Sequence, residues 1–250
     1  MCENFPSPEG LRALRYYQGD VEGDDPFWGD PRAYVTLNAL FLPGLMAEKE
    51  RVREGKRLNP EILADGHRLS RLIEDLTGLC RPLPAPMQTR RVERLAEFAL
   101  IRDSGRLYGF TSTSKRGFLP SYADKRGVAL LVFRLPAGTP CVDLSAVLPH
   151  YLKADEAEVL LPPGLSVRVE EQPLLPEDES ILDMEGRPPR CRAVVTVTGR
   201  AAEARRSLPP NGEDALAGQR VMIALNRGDE PDPADTARYL NLKKALTGLT

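Results

Sequence analysis

The sequence is poor in the residues that build most metal and redox sites. Its 250 residues include only two histidines and four cysteines. The cysteines are scattered, without a Cys-x-x-Cys pair: Cys2, Cys80, Cys141 and Cys191. This spacing argues against a zinc site and a disulfide framework, and it is typical of a protein from a reducing compartment. We therefore expect no metal.

The common enzyme signatures are also missing. The chain has no Gly-x-Gly-x-x-Gly, phosphate-binding loop, His-Glu-x-x-His or Gly-x-Ser-x-Gly motif. No apolar run approaches the ~20 residues of a membrane span, and the start lacks a basic segment followed by an apolar one. The formal net charge is -2, so no global field favours nucleic acid or an anionic membrane. We expect cytoplasmic synthesis without a signal peptide and no membrane partner. If the protein is exported as an effector, the route must be one that reads no such signal.

The order of the predicted elements indicates the fold class. Helical spacing of apolar residues dominates the first eighty residues, whereas β-forming runs follow Arg81. Helices first and strands afterwards are typical of an α+β protein. We predict one domain over residues 1–207, with a helical part to about 80 and a β-rich core over 81–207. Residues 208–250 follow as a C-terminal appendage.

Several segments have strand character. Val128 to Leu135 is a nearly continuous apolar run ended by Pro136, which predicts a central strand. Shorter β-rich segments predict the other strands: 87–92, 106–114, 158–161, 165–169 and 192–198. In the appendage, 215–226 fits a helix or a strand, and 234–246 has the spacing of a closing helix.

Two acids stand at the start of one predicted strand. Glu156 and Glu158 precede an apolar run that ends in Pro162-Pro163-Gly164. If the strand includes both acids, their side chains point to the same face, because strand residues alternate. A bare Glu-x-Glu is more often a solvated strand edge than a site. The other motifs decide between these interpretations.

Three motifs in order resemble a known enzyme family. They are Arg90-Arg91 in an extended segment, Ser112-Thr113-Ser114 after Gly109-Phe110, and Glu156-x-Glu158 before Leu-Leu-Pro-Pro-Gly. Together they resemble the arginine/serine/glutamate class of mono-ADP-ribosyltransferases, which includes bacterial toxins and exoenzymes. The helical segment Tyr34 to Leu40 is similar to a Tyr-x-x-Ile-Asn-x-x-Leu helix of that family. The resemblance spans roughly residues 10–200. It implies N-terminal helices packed on a mixed, mainly antiparallel two-sheet core.

The chemistry of NAD agrees with this resemblance. The bond from ribose to the cationic nicotinamide breaks with a neutral leaving group, so no general acid is required, unlike ordinary glycosidic cleavage. A fixed carboxylate can stabilise the developing oxocarbenium ion. The resemblance gives this role to Glu158 and makes Ser112 the residue that holds it. It makes Glu156 the acid that orients an acceptor guanidinium. Two carboxylates this close should titrate as a coupled pair.

The resemblance also implies a set of NAD contacts. Arg90 matches the motif arginine that binds the pyrophosphate, with Arg91 as its competitor because neighbouring strand residues face opposite sides. Thr113, with Ser114, is expected to shape the strand and line the floor of the site. Phe118 matches an aromatic that stacks on nicotinamide, with Tyr122 as the alternative. Tyr151 is expected to contact the acceptor, and nearby His150 is interpreted as a loop residue.

The implied function is transfer of ADP-ribose from NAD to protein arginine with release of nicotinamide. NAD is the substrate, a protein is the acceptor, and a toxin or effector would have a cognate immunity protein. Three alternatives stay open: an RNA or small-molecule acceptor, hydrolysis of NAD, and a degenerate module that binds a partner without turnover.

Overall fold

The computed structural model describes residues 7–18, 33–118, 127–147, 157–183, 185–200 and 212–247. The chain divides into two compact units, a helical unit of residues 1–79 and 202–250 and a sheet unit of residues 80–201. The segment expected to be an appendage is thus grouped with the N-terminal helices. Among the described residues, no helix has the length and apolar character needed to cross a membrane.

The described residues form an α+β protein, as expected. Its α-helices are α1 (Pro8–Gln18), α2 (Ala33–Phe41), α3 (Met46–Arg53), α4 (Gly66–Gly78), α5 (Leu95–Ser104), α6 (Leu144–Val147), α7 (Glu213–Arg227) and α8 (Pro233–Thr247). Its strands are β1 (Arg81–Pro82), β2 (Met87–Arg94), β3 (Arg106–Leu107), β4 (Thr111–Ser114), β5 (Val128–Leu135), β6 (Pro140–Asp143), β7 (Glu158–Leu161), β8 (Leu165–Gln172) and β9 (Cys191–Arg200).

Capping side chains divide the helical unit into short elements. The sequence predicts one helix from Asn59 to Leu76, but the structure has a 3-10 helix, Pro60–Leu63, followed by α4. The Asn59 side chain accepts a hydrogen bond from the Glu61 N–H, and the Asp65 side chain accepts one from the Arg68 N–H, each at 2.9 Å. Each side chain accepts a hydrogen bond from a backbone N–H that has no partner within the first turn of its helix. Two helices therefore begin in a segment for which the sequence predicts one.

The C-terminal helices complete the core of the helical unit. The tail segment that fitted a helix or a strand is the helix α7, which packs against α8 and the 3-10 helix. A Cβ on Gly218 would lie 2.6 Å from Leu63 and 2.8 Å from Tyr239. Only glycine therefore allows α7 to approach both neighbours this closely.

The sheet unit consists of two halves joined at one point. The strand order is β1-β6-β7-β4-β2-β5-β9-β8-β3, in which only the β5–β9 pair is parallel. β2 aligns with β5 over eight residue pairs, but it aligns with β4 at the single pair Arg90–Ser114. The expected mixed, mainly antiparallel core is thus present, as one sheet of nine strands in which β2 and β4 align at a single residue pair. We call the junction at Arg90 and Ser114 the seam.

Alternation along β5 separates the two faces of this sheet. Leu131 and Phe133 lie with the main core, which also includes Val159 and Leu161 of β7. The opposite face carries a smaller apolar cluster of Val92, Val128 and Leu130, with Phe118 and Ile181 packed against it. The motif residues are divided between these two faces by the same alternation.

Candidate active site

Three charged or polar side chains form one row across the seam. Arg90 on β2 lies opposite Ser114 on β4, and Ser114 lies opposite Glu158 on β7. Directly opposed residues of antiparallel strands share a face, with Cβ atoms about 4.5–5.5 Å apart. Arg90 and Glu158 are thus separated by two strand spacings, about 10 Å along the sheet. A long guanidinium and a carboxylate can both reach a ligand placed on this row.

Burial differs along the row. Glu158 is 6% exposed and Ser114 is 1% exposed, whereas Arg90 is partly exposed. The Ser114 hydroxyl accepts a hydrogen bond from the Arg116 N–H at 3.0 Å, which orients it. A carboxylate with so little contact with water has its position fixed by its surroundings, which is the condition for electrostatic catalysis.

The residue before Glu158 has an unusual backbone. Ala157 has φ 45°, the one positive value among the described non-glycine residues, and it is 8% exposed. A left-handed backbone costs an alanine roughly 1–2 kcal/mol. The described strand β7 begins at Glu158. Glu156 and Tyr151 lie outside the described residues, as do Tyr122 and His150.

The register of β4 and β7 decides where each serine of the motif lies relative to Glu158. Ser112 lies opposite Leu160, so it is diagonal to Glu158, and the residue directly opposite Glu158 is Ser114. Thr113 faces the other side, where its hydroxyl donates to the Val159 carbonyl at 3.0 Å. A sequence motif names the serines but not the register, and the register decides which serine lies beside the acid.

The two neighbouring arginines lie on opposite faces. Arg90 is paired with Val132 of β5, on the face of Glu158, whereas Arg91 is paired with the core residue Leu131. The Arg91 guanidinium bonds to the Glu93 carboxylate and donates to the Ser112 carbonyl at 2.8 Å. The structure thus puts Arg90, and not Arg91, in the row.

Phe118 lies against the apolar cluster on the face of Arg90. It packs against Val92, Val128, Leu130 and Ile181, and the Arg192 guanidinium carbon is 5.9 Å from its ring centroid. Asp178 accepts hydrogen bonds from the Arg192 Nη1 at 2.7 and 2.8 Å. The ring is partly exposed. The structure therefore gives Phe118 a packing role next to the row.

Lys115 ties together the strands beside Glu158. Its ammonium donates to both carboxylate oxygens of Asp143, at 2.9 and 2.7 Å, and to the Ser145 hydroxyl at 2.9 Å. Its backbone N–H donates to the Ala157 carbonyl at 3.1 Å. Burial alone would raise the pKa of Asp143, but the hydrogen bonds from Lys115 and Ser145 hold it below its usual value. Since β7 lies between β4 and β6, this pair crosses the start of the strand that carries Glu158.

Other candidate sites do not coincide with the row. A cavity of about 410 Å³ lies in the helical unit, between α1 and α4, and none of the row residues lines it. It is bordered by charged side chains that include Arg12, Arg68 and Asp75. Within the described ranges, no group of three or more His, Cys, Asp or Glu side chains is placed to hold a metal ion.

Comparison with known proteins gives structural matches only. No family model matches the chain, and no curated protein does. BECa, an ADP-ribosylating toxin of a binary enterotoxin of C. perfringens, matches with a TM-score of 0.49 and 16% identity, over 77% of this chain and 44% of that one. An ADP-ribosyltransferase from Clostridium botulinum matches with a TM-score of 0.43 and 13% identity, over 77% and 87% of the two chains.

A third match is C3larvin toxin, an ADP-ribosyltransferase from Paenibacillus larvae, with a TM-score of 0.39 and 17% identity over 77% of this chain and 95% of that one. This chain spans less than half the length of BECa. Each of the three matches covers about three quarters of this chain and is a likeness of fold.

Proposed function

We propose that the chain is an NAD-dependent mono-ADP-ribosyltransferase that releases nicotinamide and transfers ADP-ribose to an arginine side chain of a protein. The observation that carries the proposal is the row of Arg90, Ser114 and Glu158 on three adjacent strands. The row combines a cation for a pyrophosphate with a buried carboxylate for a cationic transition state. It needs no metal ligand and no general acid.

Glu158 is the catalytic residue of the proposal. When the ribose–nicotinamide bond breaks, the bonding electrons leave with nicotinamide, which becomes neutral, and positive charge develops on the ribose. The Glu158 carboxylate accepts a hydrogen bond from a ribose hydroxyl and stabilises this charge. Because Glu158 is 6% exposed, little water competes with the ribose for its oxygens.

Arg90 binds the substrate in this proposal. Its planar guanidinium suits the two phosphates of NAD, which can accept paired hydrogen bonds from it. Ser114 and Ser112 lie on the same face as Glu158 and fix the floor of the site. Phe118 borders the same face as an apolar wall for the nicotinamide ring.

The acceptor is the finer part of the proposal. Glu156 is assigned to the acceptor guanidinium, because a carboxylate matches its donors and can take its proton as the nitrogen attacks the ribose. Tyr151 is assigned to recognition of the target. A bacterial toxin or effector role and a cognate immunity protein complete the proposal, and the motif resemblance supports them.

The test is incubation of the protein with labelled NAD and a cell lysate. The parent protein should release nicotinamide and label a protein band. Glu158→Ala should abolish both, and Glu74→Ala, which changes an exposed acid of α4 outside the row, should change neither. If the parent protein releases no nicotinamide, every enzymatic form of the proposal is wrong.

The same assay separates the acceptors. Glu156→Ala should keep nicotinamide release and lose transfer, whereas undiminished transfer would contradict the arginine assignment. Label that is removed by ribonuclease and resists protease would identify an RNA acceptor. Release without any labelled macromolecule would identify an NAD hydrolase.

A further inference from the structure

Among the described strands, the pairing that joins the two parts of the sheet is shortest beside the candidate site. β4 and β7 align over four residue pairs, and β2 and β5 over eight, but β2 and β4 align at the seam alone. Arg90 therefore lies on one side of the seam and Glu158 on the other. Any displacement at the seam changes the separation of these two side chains.

One side chain crosses the seam on the face opposite the site. The Arg91 Nη1 donates to the Ser112 carbonyl at 2.8 Å, while its Nε bonds to the Glu93 carboxylate. The guanidinium therefore binds Glu93 of its own strand through one nitrogen and the backbone of β4 through another. Arg91 and Glu93 side chains are 19% and 4% exposed, so solvent weakens this contact little.

We propose that Arg91 is a positioning residue that fixes the separation of Arg90 and Glu158 by tying β4 to β2 across the seam. The catalytic part of this inference rests on the proposed function, whereas the contact of Arg91 with the Ser112 carbonyl does not depend on it. Ser112 lies two residues from Ser114 on β4. The four residue pairs between β4 and β7 then fix the position of Glu158 relative to β4. The pyrophosphate and the ribose of one NAD molecule then meet their partners at the same time. Arg91 does not contact NAD in this arrangement.

Arg91→Lys is the informative variant. Lysine keeps the positive charge beside Glu93, but its single ammonium cannot reproduce the planar fork that reaches Glu93 and Ser112 together. We expect kcat for nicotinamide release to fall about 10- to 100-fold, since small misplacement of reacting groups has effects of this size. KM for NAD should stay within about twofold.

Two variants serve as controls. Arg90→Lys should instead raise KM for NAD about tenfold, because it removes a bidentate phosphate contact. Arg102→Lys changes an exposed arginine that also lies between two acids, Asp103 and Glu171, and should alter neither constant. If Arg91→Lys raises KM and keeps kcat, Arg91 is an NAD ligand and the proposal is wrong. Unchanged constants would also overturn it.

Hydrogen exchange gives a second measurement that needs no activity. In Arg91→Lys the amides of β4 should exchange about tenfold faster, while those of β5 and β9, which align with each other over six pairs, should not change. The double variant Arg91→Gln/Glu93→Gln removes both charges and should show the same local loss of protection. Unchanged exchange in β4 would contradict the tie. If the amides of β4 exchange faster in Arg91→Lys but the parent protein releases no nicotinamide, Arg91 joins β2 to β4 and the proposed enzymatic function is wrong.

Discussion

Two of the buried glutamates, one in each unit, differ in their surroundings. Glu48 on α3 of the helical unit is 0% exposed, and Glu158 on β7 of the sheet unit is 6% exposed. By burial alone they are equivalent. Their neighbours differ, and the difference separates a structural carboxylate from a candidate catalytic one.

Glu48 is surrounded by groups that hold it in place. It forms an ion pair with Lys243 and accepts a hydrogen bond from the Tyr239 hydroxyl at 2.8 Å. The Lys243 ammonium also donates to the Gly44 carbonyl at 2.6 Å. Burial lowers the pKa of Lys243, an effect that Glu48 opposes, and burial with the charge of Glu48 raises the pKa of Tyr239. This cluster joins α3 to α8 and presents no face to a ligand.

Glu158 instead lies at the start of a strand, in a row with Ser114 and Arg90, after a residue with a left-handed backbone. The cation of this row is two strands away, so a substrate can be placed between the two charges. Both glutamates are buried, so burial does not distinguish them. The positions of the neighbouring cations indicate which carboxylate can act on a ligand.

The largest expected effect is on activity. Glu158→Gln should reduce nicotinamide release about 10³-fold, because a neutral amide cannot stabilise the cationic ribose. The free energy of unfolding, from urea denaturation, should change by less than about 1 kcal/mol. A variant that keeps release, or that unfolds like a core variant, would make Glu158 another structural acid.

Glu48→Gln should show the reverse pattern. It leaves the ammonium of Lys243 buried without its counter-charge, so we expect a loss of about 3–5 kcal/mol in the free energy of unfolding. The double variant Glu48→Gln/Lys243→Met should recover most of this loss, since no buried charge remains. Activity per folded molecule should equal that of the parent. Equal stability of the single and double variants would contradict the assignment of a closed ion pair.

Another buried acid of the sheet unit, Asp183, offers a structural carboxylate to compare with Glu158. It is 4% exposed and accepts hydrogen bonds from the backbone N–H of Gly127, Glu185 and Arg187 at 2.8–3.0 Å. Burial would raise its pKa, but these donors lower it to about 2. Asp183→Asn should therefore cost about 2 kcal/mol of stability at pH 7.

The pH dependence of that difference follows from the sign of the shift. A carboxyl with a lower pKa in the folded state stabilises the protein above its unfolded value near 4 and loses this contribution as the pH falls towards 2. The difference in free energy of unfolding between Asp183→Asn and the parent, measured by denaturation, should therefore be smaller at pH 2.5 than at pH 7. If this difference does not depend on pH, the interaction that Asp183→Asn removes does not require the charge of the carboxylate.

The smallest effect is expected at Ala157. Glycine adopts φ 45° without strain but loses more freedom on folding, so Ala157→Gly should change the free energy of unfolding by less than about 1 kcal/mol. Nicotinamide release should fall a few-fold, because Glu158 then follows a less restricted residue. Ala157→Val, with a branched side chain in this region, should cost about 2 kcal/mol. Similar stability of the two variants would argue against a strained backbone here.

Much of the local structure could be predicted because its causes are local. The strand Val128–Leu135 follows from an apolar run that ends at proline, and α8 follows from helical spacing. The sequence does not predict helix α5, whose buried residues Phe98 and Ile101 pack in a core that includes β5, β8 and β9, and Gly105 ends it with φ 64°. The tail segment 215–226 became a helix because the 3-10 helix and α8 bury its apolar side.

The sequence by itself determined the chemistry available: an acid pair, a serine motif and two arginines in one order, with few residues suited to a metal. Only the tertiary structure decided which members of each motif meet. It placed Arg90 on the face of Glu158 and Arg91 on the other, and it put Ser114 rather than Ser112 opposite the acid. The physical reason is that residue type is local, whereas register is fixed by pairing between strands far apart in the chain. A shift of one residue in that pairing turns every side chain to the opposite face.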